Sequence, residues 1–212
     1  AIAGIFLLKP QEQVLNVYNW GEYISDGSGD SLDTVEAFEE WYEETYGTKV
    51  KVNYDTYSSN EDMYNKIKSG AVSYDLIIPS DYMIAKMRGE GLLLELNYEN
   101  IPNYEHIPED FHGLYYDPDN QYTVPYTYGT IGIIYNTTMV DADDPSLGSW
   151  KLMWDEKHAG NILQFNNSRD AFGSAQYFLG LDVNSDSEAD WRMALEKLKE
   201  QKPILQGYVM DE

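Results

Sequence analysis

The sequence predicts an α/β protein with a largely parallel sheet, and three observations carry the prediction. Runs rich in β-branched and aromatic residues alternate with amphipathic runs of helical period from residue 14 to residue 91. Capping residues precede the amphipathic runs, and glycines follow them. The stretch Tyr74-Asp75-Leu76-Ile77-Ile78-Pro79-Ser80 holds a continuous apolar run closed by proline, the pattern of a strand covered on both faces.

Taken in order, Val14 to Trp20 reads as the first strand, with Gly21-Glu22-Tyr23 as a tight turn. Asp26 to Asp30 is a Gly/Ser/Asp loop. It is no calcium loop, because the twelfth position counted from Asp26 is Ala37, where a bidentate Glu is required. A helix is expected from Ser31, with Leu32, Val35, Phe38 and Tyr42 on one face and Gly47 at its C-cap. Val50, Val52 and Tyr54 alternate as a second strand. Ser59 caps a helix through Met63 and Ile67 that stops near Gly70. After the Tyr74–Ser80 strand, a helix runs from about Tyr82 to Arg88 and stops at Gly89 and Gly91.

Pro102, Pro108 and Pro118 break residues 98–120 into an irregular stretch. The extended runs Tyr122–Tyr126 and Ile131–Asn136, separated by Gly129, suit an interdomain crossing. A second α/β portion follows. It comprises a helix near Trp150–Glu156, a strand at Asn161–Phe165, helices at Ser168–Leu179 and Asp186–Glu200, and a further strand from Lys202. The division expected is a first lobe over 14–126, then crossing and an incomplete second lobe over 127–212. Residues 2–8 are apolar and too few to span a bilayer. The segment 1–13 reads as the remnant of a membrane anchor or as an end packed on the fold, the former preferred.

Composition narrows the function. Lys and Arg total 14 against 37 Asp and Glu, giving a formal charge of −23 that repels phosphate backbones and gathers cations. No nucleic-acid partner is expected. There is no cysteine, so disulfides, thiolate nucleophiles and thiolate metal sites are excluded within this sequence. Tyr and Trp total 19 and 5 against 6 Phe, a mix whose apolar faces and polar edges suit a wet cleft for cations or sugars. His106, His112 and His158 show no metal-ligand spacing, and no phosphate loop, nucleophile elbow or dinucleotide fingerprint occurs. Neither enzyme activity nor a cofactor or metal is expected.

In a parallel sheet, ligands sit beyond the carboxyl ends of the strands. That rule places Trp20-Gly21-Glu22-Tyr23 and Ser80-Asp81-Tyr82 at one rim although they lie far apart in sequence. Each residue also has a purely structural reading. Trp20 suits a core position, Glu22 a turn, Ser80 and Asp81 a helix cap, Tyr82 a surface, and Asp170 an ion pair with Arg169 or Arg192.

The motifs Tyr18-Asn19-Trp20-Gly21-Glu22-Tyr23, Ser58-Ser59-Asn60-Glu61, Tyr74 to Tyr82, Val124-Pro125-Tyr126 through Tyr135-Asn136, Ser149-Trp150 and Ser168-Arg169-Asp170 together resemble a known family. It is that of the polyamine (spermidine/putrescine) substrate-binding proteins of ABC importers, and the resemblance runs from Val14 onward. It implies a periplasmic-binding-protein-like fold of type II, with two lobes joined by crossing segments and the second lobe incomplete here. It implies a polyamine ligand, permease partners in the membrane, and a place outside the cytoplasm, anchored or fused. By the family pattern, Trp20 and Tyr23 line the first-lobe wall, Glu22 faces an amine, and Ser80 and Tyr82 contribute from the neighbouring loop. Asp170 matches an acid near the other end of the ligand. Asn167 stands where a member of the family carries an Asp, a departure that weakens one ionic contact. The rival readings are a sugar-binding protein of the same architecture and an acidic surface domain without a small ligand.

Overall fold

Strand β1 (Gln13–Trp20) is the centre of a three-stranded sheet of order β2-β1-β3, with β2 (Val50–Tyr57) and β3 (Leu76–Ile77) both parallel to it. The computed structural model describes residues 13–210. The apolar start at 1–13 therefore lies outside the described residues except for Gln13. The chain divides into two compact units, one ending at Thr127 and the other starting at Tyr128.

In the first unit, parallel neighbours require crossover connections, and helices supply them. Helix α1 (Thr34–Tyr46) joins β1 to β2, α2 (Asn60–Lys68) joins β2 to β3, and α3 (Asp81–Gly89) follows β3. Asp33 caps α1 by accepting from the Glu36 N–H, so the helix starts after the expected Ser31. Gly47 closes it in the left-handed region, φ 66°, where glycine carries no Cβ clash. Ser59 caps α2 through the Asp62 N–H. The α1 face also guards the β2 edge: Glu39 Oε1 accepts the Val52 N–H at 2.7 Å.

The core between the sheet and α2/α3 is built of Tyr18, Tyr57, Met63, Tyr64, Met83 and Met87. Met63 and Met87 are fully buried, filling the irregular space between tyrosine rings that a stiff side chain would leave empty. Trp20, Tyr74, Ile77 and Tyr82 pack around its margin.

The third strand departs from expectation. The Tyr74–Ser80 run was expected to be covered on both faces, yet the strand reduces to Leu76–Ile77 and Leu76 is 51% exposed. Among the described residues β3 lies at the sheet edge, and Asp75 spends its carboxylate on the Asn16 backbone N–H (2.8 Å) and side chain (3.0 Å). Hydrophobicity records that a strand wants partners; it does not record which faces receive them.

Residues 98–111 form short 3-10 turns, as the prolines require. Asp117, 2% exposed, then organises the next loop by accepting the N–H groups of Gln121, Tyr122 and Thr123 and the Thr123 hydroxyl. Residues 122–136 join no strand ladder.

The second unit pairs β4 (Ile162–Phe165) in parallel with β5 (Leu205–Val209) through α4 (Ser168–Leu179) and α5 (Glu188–Gln201). Buried Gln164 donates to Ser174 Oγ (3.1 Å) and Gln201 Oε1 (3.2 Å), and Gln201 donates to the Met153 carbonyl (2.9 Å), tying both helices to the strand. The helix expected near Trp150–Glu156 is instead a 3-10 turn over Trp150–Trp154, followed by another over Glu156–His158. Ser149 caps the first and Asp155 the second, and two N-caps so close leave no room for a full α-helix. No helix among the described residues is long and apolar enough to cross a membrane.

Candidate ligand-binding rim

Register brings the rim together. Trp20 and Tyr57 are Cα partners, so β1 and β2 end level, and their rings meet at 4.6 Å between centroids. The Ile78 N–H donates to the Tyr18 carbonyl (3.2 Å), which carries the chain past β3 to the same height and delivers Ser80 at the start of α3. Trp20 and Tyr82 then flank one core cluster. Tyr23 follows in the turn, its ring 6.0 Å from the Trp20 indole and 6.4 Å from Tyr126. The Tyr126 hydroxyl donates to the Tyr23 carbonyl, pinning that turn to the 122–136 segment. Glu22 lies between Trp20 and Tyr23 in the turn, exposed to solvent.

Ser80 is the residue before α3, but its side chain makes no cap hydrogen bond. Its hydroxyl oxygen accepts from Asn60 Nδ2 at 3.0 Å, and its backbone N–H donates to Asn60 Oδ1 at 3.1 Å. Asn60 Nδ2 also reaches the Tyr82 oxygen at 3.0 Å, and the Tyr82 hydroxyl donates to Glu61 Oε1 at 3.1 Å. Tyr57 donates to the Ile78 carbonyl at 2.5 Å. Burial, then the neighbouring phenols of Tyr23, Tyr18, Tyr54 and Tyr82, push the Tyr57 hydroxyl well above the usual phenol range. The rim is a wall of flat aromatic rings, with Glu22 in its turn and Glu61 hydrogen-bonded to Tyr82. It is equipped to face a cation.

Tyr57, Asn60, Glu61 and Tyr126 were absent from the sequence-based site. Asn60 and Glu61 stood in view as the start of a capped helix and within the Ser58–Glu61 motif, with no site role given to either. The signal that could have found Tyr57 was the strand alternation, which ends level with Trp20 once the pairing is known.

The two site residues of the second unit sit at the start of α4. Asn167 is its N-cap, Oδ1 accepting from the Arg169 N–H at 3.0 Å, and Asp170 is in its first turn, half-buried. Arg192, a partner considered for Asp170, is engaged by Glu188 at 2.5 Å. The spacing of histidines hid another group: Asp144, Asp155 and His158 hold ligand-type atoms within 4.8 Å of one another. Lys157 occupies that cluster, its ammonium 2.5 Å from Asp144 and 3.2 Å from Asp155, and hydrogen bonding to it holds the Asp144 carboxyl below its usual range.

The sequence profile of the family described as bacterial extracellular solute-binding protein matches residues 33–211. The chain belongs to that family. Among solute-binding relatives, the spermidine/putrescine-binding periplasmic protein of Escherichia coli K12 is 34% identical over 201 residues, covering 93% of this chain and 53% of the relative. The TpPotD lipoprotein of Treponema pallidum superposes with a TM-score of 0.76 at 31% identity, covering 92% of this chain and 57% of that one. The spermidine/putrescine ABC transporter substrate-binding protein PotD of Streptococcus pneumoniae gives 0.67 at 36% identity, over 93% and 57%. The chain thus spans about half the length of the solute-binding relatives it matches. These relatives are binding proteins, not enzymes, and the fold is that of the periplasmic solute-binding proteins.

Proposed function

We propose that this chain is part of an extracytoplasmic polyamine-binding protein, which hands spermidine or putrescine to an ABC permease. The observation that carries the reading is the rim itself: Trp20, Tyr57 and Tyr82 around one cluster, Tyr23 beside Trp20, Glu22 exposed in the turn between them, and Glu61 behind the Tyr82 hydroxyl. A polyamine is a methylene chain with an ammonium at each end. Its methylenes lie on aromatic faces, and each cation–π contact contributes roughly 0.5–2 kcal/mol, more as water is excluded. The ammonium donates only, so it seeks carboxylates and phenol oxygens. Names of the relatives in E. coli and S. pneumoniae point the same way.

In this reading the units on either side of residue 127 are the two lobes, and Asp170, in the first turn of α4, is the acidic candidate of the second. Asn167, engaged as a cap, adds no charge there. Membrane attachment outside the described residues fits the lipoprotein relative of T. pallidum.

The test is titration calorimetry on the full-length protein. Spermidine or putrescine is expected to bind with an affinity that falls as salt rises, and oligosaccharides to give no heat. Glu22→Gln is expected to weaken amine binding about tenfold or more with the fold intact, the scale of a charge-assisted hydrogen bond of about 1.5–3 kcal/mol. Sugar binding, or a Glu22→Gln variant as tight as wild type, would overturn the assignment.

A further inference from the structure

The start of α2 carries an arrangement that the wall of rings does not by itself require. Asn60 is 1% exposed and every polar atom of its side chain is spent. Its orientation is forced: Oδ1 must face the Ser80 N–H, which can only donate, so Nδ2 faces the two hydroxyl oxygens of Ser80 and Tyr82. An oxygen that accepts from Asn60 has to send its own proton elsewhere. For Tyr82 that proton goes to Glu61 Oε1. Glu61 is not consumed by capping, since Ser59 performs that task through the Asp62 N–H. It also stands in the first turn of a nine-residue helix, where the macrodipole favours a negative charge.

We propose that Glu61 is a specificity-determining positioning residue. By taking the Tyr82 proton, it turns that phenol oxygen into an acceptor backed by a negative charge, so that the rim selects ammonium groups over neutral hydroxyls. The inference rests on the polyamine reading. An ammonium offers only donors and meets an acceptor whose proton is already directed away. A sugar hydroxyl that needs a donor for its own lone pair finds no proton there. Glu61 acts through Tyr82, not by direct contact, and Asn60 makes this one-directional by occupying the other side of the same oxygen.

The experiment is a double-mutant cycle on the full-length protein, with Glu61→Gln, Tyr82→Phe and the pair, titrated with spermidine and putrescine over a range of NaCl concentrations. Glu61 is exposed, so Glu61→Gln is expected to fold, with its melting temperature lowered only slightly by the lost helix-start charge. It is expected to lose about tenfold in affinity, a scale of about 1.4 kcal/mol, and to show a shallower salt dependence. A charge acting only through the long-range field would give the same loss whether or not the Tyr82 hydroxyl is present. In the Tyr82→Phe background the second substitution is expected to add little, because the oxygen it acts through is gone. If wild type binds amines but Glu61→Gln matches it, or the two losses simply add, the role of Glu61 is overturned and the polyamine reading stands. If wild type binds neither amine, both fall.

Discussion

Glu90 sits among Lys68 (2.9 Å), Lys86 (3.4 Å) and the Tyr64 hydroxyl (2.8 Å). The Lys68 hydrogen bond first, then Tyr64, hold its carboxyl down to about 2, below the ordinary 4.5. A carboxyl depressed by folding stabilises the fold above its ordinary value, and that contribution is lost as pH falls through the folded value. Glu90→Gln is therefore expected to unfold at lower urea than wild type at neutral pH. The gap should close as pH is lowered from about 4.5 toward 2. Denaturant midpoints across that range check it, and a gap independent of pH would contradict the pairing. Trp20, Glu22 and Tyr23 were legible as one turn because they directly follow the first strand. Asn60 escaped because its role exists only through Ser80 and Tyr82, some twenty residues on.

Helices were legible almost to the residue where their signals are local. Helix α4 occupies Ser168–Leu179 as expected, because Asn167 caps it and Gly180, at φ 70°, ends it. Asn167→Ala is expected to cost about 0.5–2 kcal/mol of stability through the lost cap, and Gly180→Ala about 1 kcal/mol through the left-handed backbone. Urea unfolding followed by the fluorescence of Trp150, Trp154 and Trp191 in the same unit measures both. Unchanged midpoints would mean that α4 does not depend on these ends. Where two caps compete, as at Ser149 and Asp155, a correct list of helix formers still yields the wrong helix. The β3 segment failed for another reason, since its apolar run specifies burial without specifying an edge.

Across the whole molecule the formal charge is −23. Like charges on one folded chain repel, and salt screens them over a Debye length of about 30 Å at 0.01 M and about 10 Å at 0.1 M. The exposed ion pairs found here contribute little each, so net repulsion should dominate. The melting temperature of the ligand-free protein is expected to rise with NaCl over that range, and a fall would show that the ion pairs outweigh the repulsion. The same field concentrates polyamines at the rim, which links stability and binding to one salt titration.

The sequence alone determined the alternation of strands and helices, most helix ends, the acidic field, and the turn residues at the carboxyl ends of β1 and β3. Each of these depends on neighbours within a few positions or on composition. Tertiary structure alone decided that Trp20 stands level with Tyr57, that Asn60 grips Ser80 and Tyr82 together, and that Leu76 faces solvent. Those outcomes follow from strand register and sheet-edge position. Both are set by hydrogen bonds between segments tens of residues apart, for which no local pattern exists.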